Sequence, residues 1–103
     1  MELNRVNLRK AYDKAIAFFR ENPEKWTKGM MDTHDGCMCL AGRMAFELGY
    51  DPEKDHDRFI DTGWTISDQV RLHTGRSVVG LNDSSLYVND MITRAHSAIG
   101  ILL

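Results

Sequence analysis

Leu8, Ala11, Tyr12, Ala15 and Phe19 recur at the i, i+3, i+4, i+7, i+11 spacing that a helix turns into one face. Ile16 and Phe18 widen that face, while Lys10, Asp13, Lys14 and Arg20 point away from it. An isolated helix of this length is marginal in water, so the stripe must be buried against other apolar surfaces of the chain. Asn4 or Asn7 can cap its start. Asn22 is forced out of the helical region by Pro23. The pattern predicts a helix over 5–21, and everything after it has to supply a partner for that face.

The next stretch changes character. After Trp26, two short apolar pieces flank the turn-rich Asp32-Thr33-His34-Asp35-Gly36, which predicts a tight loop or a small hairpin. Helical spacing returns in Leu40, Ala41, Met44, Ala45 and Leu48, and Gly49 stands where a left-handed cap belongs. Asp51-Pro52-Glu53 suits the start of a short helix to about residue 60. Thr65 to Asp68 has capping-box spacing and predicts a separate helix that ends at Gly75. Residues 76–91 read as irregular: Gly80 and Asn82-Asp83-Ser84-Ser85 are turn chemistry, and Leu86-Tyr87-Val88 is a short extended piece. Asp90 can cap a last helix with Ile92, Ala95, Ile99 and Leu102 on its buried side. The expected fold is therefore mainly α, a single helical domain over 1–103. It is a compact bundle of four to five short helices with at most one small β-hairpin. Trp26, Trp64, Phe18, Phe19, Phe46 and Phe59 are expected to dominate its core.

Length supports one domain, since 103 residues leave no material for a second core. No apolar run approaches the roughly 18 residues of a membrane span. The opening MELNRVNLRKAYDKA is charged throughout, so a cleaved leader is not expected. Cys37 and Cys39 stand one residue apart, too close for an ordinary loop-closing disulfide. These features predict a cytoplasmic protein without a membrane partner. The net charge of −2 is unevenly spread: +3 over 1–28, −6 over 29–68 and +1 over 69–103. An acidic middle argues against a nucleic-acid partner, which would call for a concentrated basic face.

Chemistry-bearing residues concentrate in His34-Asp35-Gly36-Cys37-Met38-Cys39. Soft sulfur ligands suit zinc or copper(I), so His34, Cys37 and Cys39 are the candidate ligands of a metal-binding thiol module. Paired four-ligand spacing is missing, and the sequence leads to no metal and no cofactor as the first expectation. A thiol in the first turn of a helix can also be a nucleophile, because the helix end stabilises a thiolate. Over Asp35 to Gly42 alone, the chain resembles cysteine peptidases of the cell-wall type. It lacks the strand on which those enzymes carry a histidine base. His56, His73 and His96 stand singly; the last two lie on predicted helices, beside apolar faces, and read as residues hydrogen-bonded in the core. The alternating Asp51, Glu53, Asp55 and Asp57 lack the glycine and glutamate of a calcium loop, and no phosphate-binding glycine loop is present.

Taken in order, the features form a series. A helix leads to Trp26-Thr27-Lys28-Gly29 and an Asp35-Gly36 turn. Cys37 to Gly42 then opens a second helix, and Asn89-Asp90 precedes the last one. This series resembles a family of small uncharacterised proteins of actinobacteria and their phages. In that family a Cys-Leu-Leu-Gly-Ala stretch opens the second helix and Trp-Asn-Asp precedes the last. Here Ala41 replaces the second leucine, Arg43 the alanine and Val88 the tryptophan. The family carries no established activity, so the resemblance implies provenance, a phage-encoded or actinobacterial protein.

The expected function is non-enzymatic: a small interaction protein, such as a phage accessory factor, binding a host protein or a second copy of itself. Met30, Met31 and Met38 around the loop are the expected contact surface, because methionine adapts to varied partners. Leu102 and Leu103 in the apolar C-terminal stretch join them, docking into the core or pairing with another subunit.

Overall fold

The fold, described here for residues 2–103 from a computed structural model, contains five α-helices and no strand among those residues. Helix α1 spans Arg5–Glu21, the predicted range; the Asn4 side chain accepts a hydrogen bond from the Asn7 amide and caps it. A single 3-10 turn at Pro23–Lys25 follows. Helix α2 (Leu40–Glu47) begins at Cys39, whose Sγ accepts from the Gly42 amide, and Gly49 turns the chain away with φ +99°. Helix α3 covers His56–Thr74, α4 Val78–Ser84 and α5 Val88–Ala95. Helix α2 packs most extensively against α3 and α1, so it is the middle of the assembly. One core joins Leu8, Phe19, Leu40, Met44, Phe59, Ile66, Val78, Met91 and Ile99, which draws on every helix and on the turn after the last.

Three sequence expectations are corrected. The two helices predicted over 51–60 and 65–74 are one, because Phe59, Gly63, Ile66, Ser67 and Val70 form an unbroken buried stripe. Thr65 donates from its hydroxyl to the Asp61 carbonyl instead of capping a start. The residues before His56 are a turn in which the Asp51 carbonyl accepts from the Lys54 and Asp55 amides, and Asp55 is the cap. Residues read as irregular hold α4, started by the Ser77 hydroxyl accepting from the Gly80 amide. Helix α5 begins two residues before Asp90, which reaches back to accept from the Leu86 amide at 2.8 Å.

The large aromatic residues also divide. Phe19 and Phe59 are fully buried, Phe18 and Trp26 are half-buried, but Trp64 is 52% and Phe46 36% exposed, contrary to the core assigned to them. His73 and His96 are exposed as well. The C-terminal residues dock through backbone more than side chain. After a π-helical turn at His96–Gly100, Arg5 donates to the Leu102 and Leu103 carbonyls and Arg9 to that of Gly100. Two of the basic side chains of α1 thus hold the segment that follows α5.

Candidate functional site

The loop between Trp26 and Leu40 is tied down on both sides by single residues. Met38 bridges to Trp26 in parallel and to Asp32 antiparallel. Its amide donates to the Lys25 carbonyl at 2.9 Å, and its carbonyl accepts from Thr27 at 3.0 Å. A turn from Thr33 to Gly36 closes the far end, with Gly36 at φ +81°. This is the tight loop expected from the turn chemistry, too short to form a ladder and hence no hairpin.

Two of the three loop methionines face inward. Met31 is 5% and Met38 7% exposed, which removes Met31 from the contact surface expected with Met30 and leaves Met38 only a small exposed face, on the groove wall. For Met31 the physical reason is a slot: a Cβ at Gly42 would strike the Met31 carbonyl, and one at Gly63 would meet the Met31 Sδ at 2.6 Å. Glycines on α2 and α3 thus leave room for Met31 to plug the gap between those helices. Met30 stays 54% exposed.

The loop, α2 and the turn before α3 enclose a groove of about 740 Å³. Met30, Met38, Phe46 and Pro52 give it apolar walls, and Asp32, Asp51 and Glu53 line it with carboxylates. Among the described residues Arg43 is its one Lys/Arg side chain, and its charge is already engaged. It pairs with Glu47 at 2.5 Å and lies over the rings of Phe18 and Phe46, with centroids at 3.6 and 4.8 Å. Its buried Nε has no hydrogen-bond acceptor, so the negative ring faces carry that part of the cation. His56 links α3 to the loop through Nε2, 2.9 Å from Asp32 Oδ1. The walls thus combine an apolar strip with a negative edge, the negative sign following from the acidic middle of the sequence.

The sulfur chemistry is less favourable. Cys39 is buried; its Sγ lies 3.5 Å from Met31 Sδ and accepts from the Gly42 amide. Burial pushes its thiol up to about 11, outweighing the backbone hydrogen bonds at the helix start that pull the other way. The thiolate stabilisation expected of a helix start is therefore overridden by desolvation at Cys39. Cys37 is half-buried and points its thiol at the Glu24 carbonyl, 3.5 Å away. His34 is exposed. Among the described residues, no three His, Cys, Asp or Glu side chains converge as a metal site would require.

Of the residues singled out in the sequence, Met30, Met38 and His34 line the groove, while Leu102 and Leu103 do not. Sequence reasoning missed Phe46, Arg43 and His56. Phe46 carried a signal: it falls off the stripe Leu40, Ala41, Met44, Ala45, Leu48 and so had to face outward. No helix of the described residues is long and apolar enough to cross a membrane. Compared with known proteins, the chain matches no family model, no curated protein and no solved structure.

Proposed function

We propose that this protein is a non-enzymatic interaction module whose groove takes a short segment of a partner protein, an apolar anchor residue flanked by Lys or Arg. The observation that carries this reading is the pairing of exposed Met30 and Phe46 with Asp32, Asp51 and Glu53 along one cleft. An apolar anchor fills the methionine-walled strip, and the carboxylates favour a basic neighbour and speed its approach. The neutral, enclosed thiol of Cys39 supports the same side of the choice between binding and catalysis. On this reading the partner is a host protein met in the cytoplasm, in keeping with the resemblance to proteins of actinobacteria and their phages.

Panning a displayed peptide library on the immobilised protein tests the proposal. The enriched peptides are expected to share an apolar residue next to Lys or Arg and to bind more weakly as salt rises. Met30→Asp and Phe46→Asp, both at exposed positions, are each expected to weaken them about tenfold or more. Enriched peptides without that pattern, or indifferent to both substitutions, overturn it. Sedimentation of the free protein covers the second reading. A concentration-dependent dimer abolished by Phe46→Asp makes the occupant a second copy.

A further inference from the structure

On another part of the surface, the C-terminal end of α3, the α3–α4 link, α4 and α5 enclose a cleft of about 670 Å³. The last third of the sequence, 69–103, holds three cationic side chains besides histidine, Arg71, Arg76 and Arg94. All three line this cleft. The two carboxylates of the same stretch, Asp83 and Asp90, do not, and no other acidic residue does. Among the described residues none of the three arginines has a carboxylate within 4.0 Å, the ion pairs of the chain lying elsewhere. Thr93 on α5 and Ser97 in the π-helical turn after it add hydroxyls to the same wall.

The three arginines are not equivalent. Arg94 is held in place, its two terminal nitrogens each 3.1 Å from a serine hydroxyl, Ser85 and Ser84. Among the described residues Arg71 and Arg76 make no side-chain hydrogen bond, so their donors are uncommitted there. One fixed guanidinium and two free ones around a concavity, with no balancing acid, form a positive well in a protein of net negative charge. Guanidinium groups bind phosphate through paired, charge-assisted hydrogen bonds.

The shape narrows the ligand. The volume lies within the ~300–1,000 Å³ typical of small-molecule sites. Neither Phe, Tyr, Trp nor His lines the cleft, so it offers no stacking platform for a nucleobase. The walls thus offer guanidinium and hydroxyl donors and no aromatic face. We propose that this cleft is a binding site for a small phosphate compound without an aromatic ring, either a short polyphosphate or a phosphorylated sugar. It does not depend on the groove walled by Met30 and Phe46.

The test is calorimetric titration of the full chain at low salt with inorganic diphosphate, and separately with fructose 1,6-bisphosphate. Saturable one-site binding with a raised Tm is expected for at least one of them, and which binds more tightly distinguishes the two sources. Arg71→Gln combined with Arg76→Gln is expected to lose about tenfold or more in affinity. The circular dichroism spectrum should be unchanged, since neither side chain supports the fold. A control that removes the same charge from α1, Lys10→Gln with Lys14→Gln, is expected to keep full affinity. Absence of saturable binding at millimolar concentration overturns the proposal, as does an equal loss in the two double variants. A single-stranded oligonucleotide that binds the cleft and resists displacement by diphosphate also overturns it, making the site a nucleic-acid contact.

Discussion

Asn82 shows how one residue can organise three segments. It is fully buried on α4, and its Oδ1 accepts from Trp26 Nε1 at 2.6 Å and from the Leu40 amide at 3.0 Å. Its Nδ2 donates to the Thr27 carbonyl at 3.1 Å. One amide therefore fixes the beginning of the loop, satisfies an otherwise unpaired donor at the start of α2 and ties both to α4. Asn82→Leu leaves two donors and one acceptor without partners. At about 1 kcal/mol each, we expect a loss of about 3 kcal/mol in urea unfolding. In a Trp64→Phe background the Trp26 fluorescence should change as well. A loss within about 0.5 kcal/mol, the range of ordinary surface substitutions, would show that water replaces the amide. In the sequence Asn82 belongs to a run of turn-forming residues, and nothing in that run distinguishes an inward asparagine from an outward one.

Among the elements, α2 and α3 depend on glycines that a helix on its own would disfavour. Alanine raises helix propensity over glycine by roughly 1 kcal/mol, so intrinsic preference alone makes Gly42→Ala and Gly63→Ala stabilising. The slot for Met31 reverses that sign. At Gly42 the new methyl meets the backbone carbonyl of Met31, which is held by the Cys39 amide at 3.2 Å and cannot yield without moving the loop. At Gly63 it meets the end of the Met31 side chain, which can rotate. Gly42→Ala is expected to cost roughly 2–3 kcal/mol, near the upper end for overpacking, and Gly63→Ala distinctly less. Thermal unfolding of both settles the order. Adding Met31→Ala to Gly63→Ala should recover part of the loss, whereas equal and additive effects would disprove the slot. Gly63 lies between the two helices expected from the sequence, and in the fold it serves the packing of one continuous helix.

For the molecule as a whole, the buried thiol of Cys39 and the buried phenol of Tyr12 set an alkaline limit. Burial raises Cys39 from 9.0 to about 11, and Tyr12 from 10.0 to about 12 despite the opposing charge of Arg9. Both groups are neutral when protonated, and the fold favours that form. The contribution is complete below pH 9 and is lost as pH rises through 11 and then 12. Urea midpoints should fall above pH 9, by the order of 2 kcal/mol in stability between pH 9 and 11 from Cys39. Cys39→Ser, whose hydroxyl still caps α2, should flatten that part of the decline; an unchanged slope would remove Cys39 as its cause. At this scale the division between chain and fold is also clear. The amphipathic period of α1, its asparagine cap, the Pro23 stop and the glycine ends at Gly49 and Gly75 are local, and sequence alone determined them together with the mainly helical class. The acidic sign of the groove was equally present in the charge count of the middle segment. Only the tertiary structure decided which residues around the loop face outward. A methionine is inserted or exposed according to whether a neighbouring helix leaves it a slot, and periodicity does not record the neighbour. The arginine cleft is of the same kind: Arg71 and Arg76 are neighbours at the end of α3, but Arg94 belongs to α5, and its convergence with them follows from how α3, α4 and α5 pack.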